Sequence, residues 1–253
     1  TTGNSNIAIG YESGRIMVAG QQNTLIGDYT GDALVDGSGN VAIGYRALTS
    51  EEDYGKNVAV GFQSLVSLNA GADTYNTAVG YNAGLAVTTG DHNTIVGGLA
   101  GDALTSGSYN IAIGYAALST EDAHGANVAI GANALLTLDA GADGFNIAIG
   151  HDAGKSMTTG INNTIMGGLA GDAITSGSDN LVLGYNAGRA MTSAQQNTAI
   201  GVNAADAITT GTANVALGYN ALTASIDGDF NTALGYKALE DYEDGDGNGH
   251  NTA

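Results

Sequence analysis

Cysteine, proline and tryptophan are all absent from this chain of 253 residues. Without cysteine there are no disulfides and no thiolate metal sites, and the redox compartment is left open. Without proline every residue keeps its backbone N–H, as a chain that pairs along its whole backbone requires. Cations are scarce: Lys and Arg number 6 against 25 Asp and Glu, a formal charge of -19. Such a chain repels phosphate backbones and anionic headgroups, so neither nucleic acid nor a membrane surface is expected as a partner. No apolar run approaches the roughly 18 residues of a membrane span, and the opening TTGNSNIAIG has no signal-peptide pattern.

What is abundant is glycine, 41 residues, about twice the usual share of roughly 7%. So much glycine disfavours long helices. The chain also repeats itself. An Asn-x-x-aliphatic-Gly core begins at Asn6, Asn23, Asn40, Asn57, Asn76, Asn93, Asn110, Asn127, Asn146, Asn163, Asn180, Asn197, Asn214 and Asn231, and a further copy starts at Asn251. Of the thirteen intervals among the first fourteen, eleven are seventeen residues and two, after Asn57 and Asn127, are nineteen. A slower period of seventy residues relates NTLIGDYTGDAL, NTIVGGLAGDAL and NTIMGGLAGDAI, starting at 23, 93 and 163. Four-coil blocks are therefore expected near 6–75, 76–145 and 146–213, with a partial block over 214–253.

Counting the Asn as position one, position two is Ile, Val, Leu or Thr, position three is mostly Ala, position four is a large aliphatic and position five is Gly. Positions two and four share one face of an extended strand. That face is read as core-facing and the Ala face as an apolar surface in need of cover by a neighbouring subunit. Position eight is small, as at Ala47, Ala83, Ala117 and Ala187, and position twelve is usually Leu, Ile or Met before turn letters such as TTGDH. The spacing predicts two short strands and two turns per coil. The fold class is accordingly all-β, a parallel β-solenoid of about fourteen coils. Helical repeats, propeller blades and leucine-rich repeats have longer or differently framed units. At about 4.8 Å per coil the stack is expected to extend on the order of 65 Å as one domain over 1–253, part of a longer fibre. In-register stacking makes the Asn column a hydrogen-bond ladder, with Asn110, Gly114, Asn127 and Gly131 as structural residues. It also explains why acids at position ten, such as Asp32, Asp102 and Asp172, are interrupted by other residues rather than consecutive.

GNVAIG (39–44), YNIAIG (109–114) and ANVAIG (126–131) resemble the head repeats of YadA-like trimeric autotransporter adhesins. TSGSYNIAIGYAAL (105–118) and NTALGYKAL (231–239) resemble the seventeen-residue repeats of phage tail-fibre-like and bacterial surface proteins. The resemblance implies a left-handed β-roll in a homotrimer, extracellular, on a cell surface or a virion tail fibre. It implies a non-enzymatic role in attachment or display. No neck, coiled-coil stalk or membrane anchor is evident in the sequence.

Several residues invite a site. Glu51, Glu52, Asp53 and Asp73 cluster in turns of adjoining coils, as do Glu121, Asp122, Asp139 and Asp143 seventy residues on. Carboxylates so placed suit Ca²⁺, or else simply keep the surface solvated. Asp244, Asp246 and Asn248 open like an EF-hand loop without its later Glu. Tyrosines at position six, among them Tyr81, Tyr115, Tyr185 and Tyr219, line one edge and suit either packing or stacking against sugar rings. The latter would make a glycan-reading tail fibre. GGLAGDA, at 97–103 and 167–173, imitates a phosphate loop but lacks its Lys. His92, His124, His151 and His250 fall at different coil positions, with no repeated nucleophile beside them. The chain is therefore not expected to be an enzyme. An ice-binding face built on position-two Thr is set aside on the reading that this position faces the core.

Overall fold

A computed structural model describes residues 3–242 and 250–253. Asp244, Asp246 and Asn248 lie outside the described residues. The chain divides into two compact units, Thr1–Ala126 and Asn127–Ala253. Each is a parallel β-solenoid, and no helix occurs among the described residues.

The first unit carries seven three-residue strands: β1 (Ile7–Ile9), β2 (Thr24–Ile26), β3 (Val41–Ile43), β4 (Val58–Val60), β5 (Thr77–Val79), β6 (Thr94–Val96) and β7 (Ile111–Ile113). The second carries β8 (Val128–Ile130), β9 (Ile147–Ile149), β10 (Thr164–Met166), β11 (Leu181–Leu183), β12 (Thr198–Ile200), β13 (Val215–Leu217) and β14 (Thr232–Leu234). Within each unit neighbours pair in parallel with equivalent residues opposed, so Ala42 faces Ala59 and Ala59 faces Ala78. The nineteen-residue coils hold this register, with Val58 opposite Thr77 and Val128 opposite Ile147. Their two extra residues are absorbed outside the strand.

Two expectations are corrected here. The first concerns the second strand, which does not form. After the Gly the backbone alternates in and out of the left-handed region, at Arg46 (φ 56°) and Leu48 (φ 53°) in one coil and Gln63 (φ 53°) and Leu65 (φ 48°) in the next. This alternation turns successive amides up and down the stack. Tyr29 N–H donates to Tyr11 one coil back (2.8 Å), whereas Gly31 N–H donates to Ala47 one coil on (3.1 Å). The segment thus satisfies its backbone in both directions while curving more tightly than a strand can.

The second concerns the strand faces. Position three is the buried one, with Leu25, Ala42, Ala59, Ala78 and Ile95 fully inaccessible, whereas positions two and four point outward and are half-buried or exposed. The reason is space. The inner face of the strand meets position nine of the same narrow coil, where a Cβ built on Gly14 would lie 3.9 Å from Ala8 Cβ and one on Gly31 3.1 Å from Leu25 Cδ2. The adjoining position-eight residues Ala47, Ala83, Ala117 and Ala187 are fully buried too. Two walls this close admit Ala more readily than a row of Ile and Val.

Asn at position one shares the inner face and is buried in thirteen of the coils, from Asn23 to Asn231. Its amide does more than form a side-chain ladder. Asn163 Oδ1 accepts the Asn180 backbone N–H (3.0 Å) and the Asn180 Nδ2–H (3.0 Å), while Asn163 Nδ2 donates to Gly177 O (2.9 Å) in its own coil. One side chain therefore joins coil to coil and also ties the end of its own coil back to its start. Gly at position five is dictated by geometry. Gly44 sits at φ 129°, and a Cβ there would lie 2.4 Å from the Gly61 carbonyl oxygen.

The seventy-residue rhythm is a packing rhythm. Where position three is large, position nine is Gly: Leu25 with Gly31, Ile95 with Gly101, Ile165 with Gly171. A Cβ on Gly101 would come within 2.9 Å of Leu104 Cδ1 and 3.4 Å of Ile95 Cδ1. In several other coils position three is Ala and a buried Leu at position nine fills the volume, as Leu48, Leu65, Leu118 and Leu135 do. Ala78 with Gly84 and Ala148 with Gly154, by contrast, are small at both positions and are packed by Leu65 and Ile95, and by Leu135 and Ile165, of the adjoining coils. Core volume is thus shared between positions and between adjoining coils.

Candidate functional surfaces

The outward face of the strands is the most uniform surface of each unit. In the first it presents Ile7, Thr24, Val41, Val58, Thr77, Thr94 and Ile111 in one row and Ile9, Ile26, Ile43, Val60, Val79, Val96 and Ile113 in the other. The second unit repeats this from Val128 and Ile130 to Thr232 and Leu234. Not one of these positions is charged, in a chain with 31 Lys, Arg, Asp and Glu residues (6 and 25). The position-two threonines are therefore on the outside, which corrects the reading that placed them in the core. They remain irregular: Thr77 and Thr94 are paired neighbours, but Thr24 and Thr164 stand opposite aliphatic residues in the coils beside them.

Position six forms the expected aromatic column. In the first unit Tyr45, Phe62 and Tyr81 stack at 5.4 and 5.3 Å, and in the second Tyr219 stacks on Tyr236 at 5.5 Å. Stacked rings cover each other's faces and leave edges to solvent. That favours packing over sugar recognition along a continuous stretch of column, because a pyranose needs an open ring face. Tyr115 and Tyr185 stand beside Gly98 and Gly168, whose built Cβ atoms fall 3.8 and 3.6 Å from the Tyr Cδ2 atoms. A cavity of about 300 Å³ opens beside the column, lined by Tyr29, Asp32, Tyr45 and Arg46.

A second aromatic column is not marked by the repeat pattern of the sequence. It occupies the residue immediately before the Asn, where Tyr75, His92 and Tyr109 stack at 5.2 and 5.1 Å and Lys56 Nζ lies 5.1 Å from the Tyr75 ring centre. In the second unit Phe230 and His250 continue the pattern at 5.0 Å. The signal was present as Tyr-Asn, His-Asn and Phe-Asn pairs, but other coils place Gln, Lys, Gly or Ala there and hide it.

In the first four-coil block the acids are not arranged as their spacing suggested. Glu51 and Glu121 occupy position twelve, where other coils carry Leu34, Leu68, Leu104 or Ile174, and both are 0% exposed. Glu51 turns inward and caps its own turn, its Oε1 accepting the Tyr54 N–H at 3.2 Å. Its Oε2 has no partner, and burial pushes its pKa up. Glu52 and Asp53 are exposed. Asp73 accepts from Lys56 Nζ at 2.6 Å and from the Gly55 N–H at 3.1 Å. The hydrogen bond from Lys56 holds its carboxyl below the usual range. The expected shared cluster of Glu51, Glu52, Asp53 and Asp73 is therefore dispersed: one acid is inside, two are in solvent and one is ion-paired.

Seventy residues on, Glu121, Asp122 and His124 offer ligand atoms within 4.8 Å of one another. A donor set with an imidazole suits a transition metal better than Ca²⁺. Tyr54 stands where His124 stands, so the earlier block lacks the third donor. In the second unit Asp139 and Asp143 are both exposed.

The tenth column behaves as stacking requires, with Asp172 Oδ1 3.9 Å from Arg189 Nε one coil on, and Asp102 accepting a hydrogen bond from Ser119. Of the remaining histidines, His151 Nδ1 lies 3.4 Å from Asp152 Oδ2. The two GGLAGDA segments run from a strand end into turns, so they lack the helix of a phosphate loop. Comparison with known protein families, curated proteins and solved structures finds no match to this chain.

Proposed function

We propose that this chain is a segment of a non-enzymatic extracellular fibre, a left-handed β-roll that assembles as a homotrimer for attachment or surface display on a cell or a virion. The observation that carries the reading is the uncharged aliphatic and Thr face on the outer side of every strand. A chain of net charge -19 that stayed single would gain solubility from acids on this face, yet it carries none. Self-association covers such a face with its own copy, and closed symmetry repeats the contact without leaving an open end. Attachment then draws on many weak contacts repeated along the array. The likeness of the repeat to adhesin heads and tail fibres supports three copies and the hand of the roll.

The test is solution mass by light scattering. The intact chain should give three times 25.0 kDa, and Val60→Lys with Val79→Lys should give single chains that keep their β circular dichroism. Lysine at an outward, half-buried position is accommodated by an isolated solenoid but not inside an apolar interface. A single-chain mass for the unsubstituted protein would overturn the reading.

A further inference from the structure

The position-six column is a stack of rings wherever consecutive coils supply one. Phe62 lies between Tyr45 and Tyr81 with interplanar angles of 20° and 11°, and both of its faces are covered. At Gly98 the column loses its ring for one coil and resumes at Tyr115. Two coil steps of about 4.8 Å then separate the facing rings, so the thickness of one ring is missing between them. Tyr81 and Tyr115 are 57% and 59% exposed, against 40% for Phe62. A Cβ built on Gly98 meets, beyond its chain neighbours, a single heavy atom within 4 Å, Tyr115 Cδ2 at 3.8 Å.

The same chain fills the equivalent gap once. In the first four-coil block position six of the second coil is Asp28, again without a ring, and the Tyr29 ring enters from position seven. It lies 5.4 Å from Tyr11 and 6.0 Å from Tyr45, edge-on to both at 77° and 85°. Leu99 and Leu169 take the place of Tyr29 in the next two blocks, with the same left-handed backbone (φ 58°, 59° and 58°). A leucine ends well short of a tyrosine's outer ring atoms, so the outer part of the gap is left open.

We propose that the gap over Gly98, between Tyr81 and Tyr115, is a binding slot for one uncharged, phenol-sized aromatic ring, and that it recurs over Gly168 between His151 and Tyr185. A ring at mid-gap would sit about 4.8 Å from each wall, inside the range of favourable ring pairs. The floor is Gly98 and Leu99, which offer a pyranose no side-chain donor or acceptor for the hydroxyls it would bury there. The slot thus selects a ring that is apolar across its faces and polar only at its rim, as Tyr29 is.

The experiment is a titration of the intact chain with p-cresol and, separately, N-acetyltyrosinamide, read by NOEs from probe ring protons to the Tyr81 and Tyr115 ring protons. A dissociation constant on the order of 10 mM is expected for p-cresol. Binding of p-cresol alone assigns the slot to free phenols, and binding of both shows that it also takes a ring carried on a polypeptide. The double variant Gly98→Tyr with Gly168→Tyr fills both slots, at glycines whose φ is not in the left-handed region. It should weaken binding at least about tenfold. Leu99→Tyr with Leu169→Tyr, which copies the first block, should do the same and guards against misfolding of the first pair. Absence of probe NOEs in the intact chain, unchanged binding in the filled variants, or equal binding of methyl β-glucoside would each overturn the assignment.

Discussion

Replacing Asn163 by Ala tests the load placed on the buried amide. Asn163 Oδ1 accepts the Asn180 N–H at 3.0 Å, and its Nδ2 donates to Gly177 O at 2.9 Å. Alanine leaves both backbone groups inside the coil without those partners, and no water reaches a site where Asn163 is 0% exposed and Asn180 only 2%. Each buried group left unsatisfied costs about 1–3 kcal/mol, so the substitution should cost about 2–6 kcal/mol. Because a coil array need not unfold in one step, the sharper assay is native-state amide exchange rather than a single melting midpoint. Exchange at the Asn180 amide should accelerate roughly 30-fold to 10⁴-fold, since about 1.4 kcal/mol is a factor of ten. Asn162→Gly, one residue away at an exposed position with φ 60°, keeps the backbone conformation and should change exchange little. A change below about 0.5 kcal/mol at Asn163, or an equal effect at Asn162, would refute the claim that this amide holds the coils together.

Further predictions rest on other residues. Glu51→Gln should stabilise the protein at neutral pH. Burial raises the folded-state pKa of Glu51, so the folded chain binds this proton more tightly, and stability falls as pH rises from the ordinary Glu range through the raised value. The gain should therefore vanish in denaturant melts below about pH 4; an equal gain at all pH values would sink the account. Gly61→Ala places a Cβ 2.1 Å from Gly80 O at φ 140°, whereas Gly71→Ala at φ 72° meets nothing within 4 Å. The first should prevent or severely weaken folding, and the second should cost only the left-handed strain of about 1–2 kcal/mol, as thermal melts will show. A calcium chelator should leave the melting midpoint of the Glu51–Asp73 region unchanged, because Asp73 is already engaged by Lys56 and Glu51 is inside; a fall in midpoint restored by added Ca²⁺ would contradict this.

The coil period, the number of coils and the place of the strand were legible in the sequence because a parallel in-register stack sets each residue against its own copies. Asn110, Asn127 and their counterparts declared a structural role by recurring without exception. The inward face was not legible, since Ala at position three and Val or Ile at positions two and four are all apolar and alternation alone gives no direction. The αR–αL segment after the Gly was likewise hidden, because Leu48, Leu65 and Leu118 take a left-handed backbone that leucine rarely adopts. Nor did local composition separate Glu51 from Glu52 and Asp53. They read as one acidic run until the coil phase places Glu51 at the buried position twelve.

The sequence by itself therefore determined that this protein is a solenoid, since periodic residues can only be satisfied by stacking on themselves. The tertiary structure decided which face is closed and which is open. That outcome depends on the distance between two walls of one narrow coil: small enough that Ala goes in and Ile, Val and Thr are left facing out. Stacking also decided the spacing of Tyr81 and Tyr115, which follows from two coil steps of about 4.8 Å across Gly98 and which no single coil contains.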